Sequence, residues 1–171
     1  MGPLVLLAVG CSTSTSPQPD SPSSSASWPD TSDTTNVACP DTAPVPPDSL
    51  PAAVDDFDKK SEWYGTDDLW VAKPRLLDHT DEREARYRAK YASITLDAQG
   101  RVTDQKGAPR VEAERLNRSG TARGSTGGFA TGDGDRQWWP TAIDFPEPGC
   151  WQVTETLGST EVRFTVHVAA R

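Results

Sequence analysis

An all-β domain behind a disordered N-terminal stretch is what this chain predicts, and three features carry that reading. Val162, Phe164, Val166 and Val168 alternate strictly with Arg163, Thr165 and His167, the period of a strand with one buried face. Short apolar runs recur between Asp, Gly and Pro clusters, at strand length rather than helix length. No segment carries a convincing helical stripe. The spacing predicts an immunoglobulin-like β-sandwich of about seven short strands over residues 49–171.

In chain order, Leu4-Val5-Leu6-Leu7-Ala8-Val9 ends in Gly10-Cys11, after which the chain turns polar. The run is too short for a membrane-spanning helix and suits the apolar core of a secretory signal. Cys11 sits where a lipoprotein signal carries its acylated cysteine, so residues 1–11 are expected to be a signal with lipidation at Cys11. Two departures stand beside that expectation: no Lys or Arg precedes the run, and Ala8 occupies a position where Leu is preferred. Residues 12–48 are dominated by Ser, Thr, Pro and Asp and have little to bury, which predicts an extended, solvated tether. Trp28 is its one large apolar residue.

Leu69-Trp70-Val71-Ala72 reads as a strand. Residues 83–91 read as a loop or a single helical turn. From Tyr91 to Leu96, Ala92, Ile94 and Leu96 form one face, and Asp97-Ala98-Gln99-Gly100 turns the chain toward a returning strand at Val102. Val111 to Leu116 changes parity, which suggests a bulge. Six glycines between Asn117 and Asp135 predict a long loop pinned by Phe129. Trp139, Thr141, Ile143 and Phe145 share a face of a segment that Pro140 confines to an edge or an irregular start. The C-terminal hairpin directs Trp151, Val153, Val162, Phe164, Val166 and Val168 to the core, joined there by Leu69, Trp70 or Val71.

With Cys11 assigned to lipid, Cys39 and Cys150 remain, and an exported location permits a disulfide between them. The net charge of −8 argues against a nucleic-acid partner and against binding to anionic headgroups. The basic residues Arg83, Arg86, Arg88 and Lys90 lie among Asp81, Glu82 and Glu84, the pattern of a solvated segment.

The stretch Phe145-Pro146-Glu147-Pro148-Gly149-Cys150-Trp151-Gln152-Val153-Thr154, followed by the alternating Val162–Val168, resembles the close of a group of uncharacterised bacterial lipoproteins. Trp63-Tyr64-Gly65 and Asp68-Leu69-Trp70-Val71 are similar to the start of that group's domain. The likeness covers about residues 60–75 and 110–168. It implies an extracytoplasmic immunoglobulin-like β-sandwich and brings neither an activity nor catalytic residues.

No constellation points to catalysis. His79 lies in a charged stretch and His167 takes the outward parity of its strand. Ser125, in Gly124-Ser125-Thr126-Gly127-Gly128, lacks the strand-to-helix turn of a nucleophile elbow, and no Gly-Lys-Ser/Thr follows for phosphate. Asp133-Gly134-Asp135 and Asp55-Asp56-Phe57-Asp58 are incomplete as calcium loops. Trp63 and Trp138 are the candidate ligand-binding residues, because Trp63-Tyr64 and Trp138-Trp139 each place one ring outward if extended. The chain therefore predicts a monomeric, lipid-anchored extracytoplasmic module without cofactor or metal, interacting with a cell-envelope protein or glycan. The alternative is a hydrolase of envelope polysaccharide using paired carboxylates.

Overall fold

Period-two patterning builds ten strands among the described residues, which are 39–77 and 87–170 of a computed structural model. The readings placed on the signal, on Cys11, on the tether up to residue 38 with Trp28, on His79 and on residues 83–86 lie outside the described residues. In chain order the elements are a short helix α1 (Ala52–Phe57), β1 (Trp63–Thr66), β2 (Leu69–Ala72), β3 (Arg75–Leu76), β4 (Tyr87–Thr95), β5 (Arg110–Arg115), β6 (Thr121–Thr126), β7 (Ala130–Thr131), β8 (Gln137–Phe145), β9 (Gly149–Leu157) and β10 (Thr160–Val168).

The protein is all-β, as expected. Its pairings are antiparallel and follow one path, β1-β2-β4-β8-β6-β5-β9-β10, with β3 beside β4 and β7 beside β8. The ends of that path, β1 and β10, pack side by side without a ladder, so the sheet is nearly barrel-like. The sheet holds ten strands where the spacing suggests about seven.

The extra strands come from segments whose composition conceals them. The Gly-rich stretch holds β6 and β7, because Gly124 lies so close to β5 that an added Cβ would sit 2.5 Å from the Val111 side chain. Glycine serves close strand approach here, not a loop. Tyr87–Lys90, read as loop or helical turn, is the start of β4, paired with β8 from Tyr87↔Phe145 onward and burying Ala89 completely. Pairing overrides the local propensity.

Pro140 is also placed differently: it lies in β8, between β4 and β6 rather than at an edge. Its backbone faces the junction where the partner changes from β7, paired at Gln137 and Trp138, to β6, paired from Thr141 onward. The missing N–H falls where the ladder is already interrupted, so it costs little. β5 runs without a bulge, with Val111 and Ala113 buried and Leu116 exposed beyond its end. Val102 forms only an isolated bridge to Leu96.

The core holds every residue assigned to it from the C-terminal hairpin, together with Leu69, Trp70 and Val71. Tyr64 and Phe164 stack across the seam between β1 and β10, ring centroids 4.9 Å apart and planes within 2°. Beneath the turn into β9, the Arg115 side chain lies over Trp151 at 5.7 Å, pairs with Glu147 and donates to the Pro148 carbonyl. Gly149 accommodates it: an added Cβ would stand 2.8 Å from the guanidinium, at a φ of +144°. The Pro-Gly-Cys-Trp sequence is thus the bed of a buried arginine.

Candidate functional site

The strand β1 places Trp63 and Tyr64 on opposite faces, as the sequence suggests, but neither ring is exposed. Tyr64 turns inward onto Phe164, and Trp63, only 1 % exposed, is covered by α1. Phe57 at the end of that helix meets Trp63 edge-on at 5.9 Å and Trp138 at 5.7 Å. Arg136 lies 5.8 Å from the Phe57 ring and donates to its carbonyl. The aromatic platform therefore exists, and its occupant is the chain's own Phe57. Trp63 is corrected from ligand-binding residue to buried support, since an apolar ring on the outer face of a sheet needs cover. Trp138 remains half-buried beside it.

Cys39 and Cys150 come to disulfide distance, with Cα atoms 5.4 Å apart. Residues 39–48, read as tether, instead lie across the seam of the barrel. Thr42 Oγ1 accepts the Thr165 N–H of β10 at 3.0 Å, and the Val45 N–H donates to the Trp63 carbonyl of β1 at 2.8 Å. This strap supplies hydrogen bonds to two strand edges that do not pair with each other. Its Pro-rich composition looks unstructured because its partners lie far away in sequence.

A concavity of about 820 Å³ lies over β5 and β6, between Ala108 and Thr126. Thr126 Oγ1 ties the two strands at one end by donating to the Pro109 carbonyl at 2.8 Å. Arg110, Glu112, Glu114 and Arg123 give it a mixed charged rim, with Arg110 paired to Glu112. Glu112 and Glu114 also border a second hollow of about 360 Å³ with Gln152, Thr154, Glu161 and Arg163. Glu161 is paired with Arg163 at 2.6 Å.

A different group of residues is buried inside the barrel. Glu155 is fully buried, and its Oε1 accepts the Ser93 hydroxyl at 3.1 Å, while Ser93 and Thr141 hydroxyls lie 2.8 Å apart. Nearby, the Trp139 indole N–H donates to Thr95 Oγ1 at 3.0 Å and Thr95 donates to the Thr103 carbonyl. Glu155 Oε2 and the Tyr91 hydroxyl are left without a hydrogen-bond partner of ordinary length. Burial pushes the Glu155 carboxyl up to about 7, against the weaker pull of the Tyr91 and Ser93 hydroxyls. Burial, and then the Glu155 charge, also raise the Tyr91 phenol.

Tyr91, Ser93 and Thr95 share one face of β4, as the alternation predicts, and Ser93 and Thr95 enter this cluster; Ile94, paired with Trp70 and equally buried, takes the other face, so both faces of β4 are covered here. The signal was present in β9, where Glu155 continues the parity of the core residues Trp151 and Val153.

The remaining candidates keep structural roles. His167 and Ser125 are exposed on their strands. Asp55 and Asp56 face Lys59, and Asp58 accepts from Ser61 at 2.7 Å. Asp133 and Asp135 flank Gly134 in a tight turn whose φ at Gly134 is +68°. No group of three metal-ligating side chains occurs among the described residues. No family model, no curated protein and no solved structure matches the chain.

Proposed function

We propose that the protein is an extracytoplasmic lipoprotein, anchored through Cys11, whose domain is a non-catalytic interaction module for a cell-envelope protein or glycan. The observation that supports it best is the charged concavity over β5 and β6, a wide outer surface without apposed reactive groups. The resemblance of residues 145–154 and 162–168 to bacterial lipoproteins supports the same compartment. For the scaffold we infer a partly open barrel closed by the strap; an immunoglobulin-like sandwich would need two separate sheets, and the single strand path favours the barrel.

A hydrolase is the second reading, and one observation speaks for it. Glu112 and Glu161 border one hollow from strands two apart and two residues out of level, roughly 12 Å by strand spacing and rise. Against it, both are exposed and each is already paired with an arginine, Arg110 and Arg163.

Two measurements test the proposal. A fatty-acid analogue should label the wild-type protein in cells and leave Cys11→Ala unlabelled; label on the variant would end the lipoprotein reading. A photocrosslinker at Arg123 should capture an envelope component that one at Lys59, outside the concavity, does not. Turnover of envelope glycan by the protein, abolished by Glu112→Gln or Glu161→Gln, would replace the module with the enzyme.

A further inference from the structure

Glu155 projects from β9, while Ser93 and Thr141 project from β4 and β8, and β9 pairs with neither of those strands. The Ser93–Glu155 hydrogen bond therefore crosses the interior and ties opposite walls of the barrel. A Ser93 proton given to Glu155 leaves Thr141 to donate to Ser93, so the three groups form one directed chain across the interior.

Among the described residues, no cation acts on the carboxyl. From β4 the titratable group facing it is the Tyr91 phenol; β8 presents the Thr141 hydroxyl. The ladder neighbours of Glu155 are Val111 on β5 and Val162 on β10, both apolar. A neutral acid fits this setting, and its Oε2 proton has the unpartnered Tyr91 oxygen as the nearby acceptor. A carboxylate fits poorly: its charge would stand fully buried with only the Ser93 and Tyr91 hydroxyls to answer it.

We propose that Glu155, with Ser93, Thr141 and Tyr91, is a proton-operated latch between the two walls: the neutral acid holds β9 against β4, and loss of its proton loosens the wall formed by β9 and β10. The step is a simple ionisation, in which the Oε2–H bond breaks and solvent takes the proton. The full burial of the group, which lifts its titration to about 7, puts the change in reach of ordinary conditions. Because β10 is one side of the strapped seam, loosening is expected to extend to the contact with β1.

Amide hydrogen exchange on the full chain at pH 5 and pH 8.5, corrected for the intrinsic rate, tests this. Protection of β9 and β10 should fall by about tenfold or more in the wild type and stay level in Glu155→Gln. Unchanged wild-type protection, or an equal fall in the variant, overturns the latch. The carboxyl carbon of Glu155, followed by NMR in the unmutated protein, gives a reading that does not depend on a variant folding. A midpoint well above that of an ordinary glutamate is expected, and one at or below it overturns the proposal.

Discussion

The wall formed by β9 and β10 faces the interior with Trp151, Val153, Val162, Phe164 and Val166 and the one acid Glu155, whereas β4 and β8 add Tyr91, Ser93, Thr95, Trp139 and Thr141 to the apolar Ala89, Ile143 and Phe145. Both sets are buried to a similar degree. The first gains by removing apolar surface from water, at about 25 cal/mol per Å². The second must first satisfy its hydroxyls, and each satisfied hydroxyl adds only about 1 kcal/mol net. The difference shows why alternation in sequence marks the strand but not which of its faces is inside. In the apolar wall the two questions share an answer; in the polar wall they do not.

Breaking the apolar wall should have the largest effect. Phe164→Ala removes the ring stacked on Tyr64 at the seam and should lower stability by about 3 to 5 kcal/mol in denaturant titration. A loss under about 1 kcal/mol would mean that the seam collapses to fill the space.

Breaking the polar wall should cost less and depend on pH. Ser93→Ala leaves Glu155 Oε1 without its donor and should cost about 1 to 3 kcal/mol. Stability of the wild type itself should decline as pH rises from about 4.5 toward 7, because the folded state holds the Glu155 proton that the unfolded chain has released, and it should level off above that. Thermal melts across this range read the effect, and a stability that rises through the window would contradict the burial of the acid.

The smallest effect sharpens the comparison from outside. His167→Ala changes an exposed side chain of β10 between the buried Val166 and Val168, and should alter stability by no more than about 0.5 kcal/mol. A larger loss would mean that the outer face of β10 is covered.

How much of this was legible follows from the same contrast. The hairpin of β9 and β10, the inward face of β8 and the pairing of Cys39 with Cys150 could be read, because alternation and cysteine count carry them directly. The strands β6 and β7 could not, since Gly124 is selected by the nearness of Val111, a contact absent from local sequence. A bridge at Cys39 implies that the end of the tether is held on the domain, but the strap's hydrogen bonds were hidden for a like reason: Thr42 and Val45 find partners at Thr165 and Trp63. Among the site residues, Trp63 and Trp138 were expected to present exposed rings; Trp63 is buried and Trp138 half-buried, because Phe57 of α1, not foreseen, packs against both.

The position of Cys39 at the upstream end of the strap has a mechanical meaning. A pull arriving along the chain from residues before Cys39 reaches the cysteine pair before it reaches Thr42 or Val45. Once the pair is joined, tension passes through Cys150 into β9, which is flanked by ladders to β5 and β10 along its length. The downstream clasp on the seam is then out of the line of force. Without the covalent joint, the same pull would lift Thr42 from Thr165 and then Val45 from Trp63, one bond at a time, as a zip opens from its end.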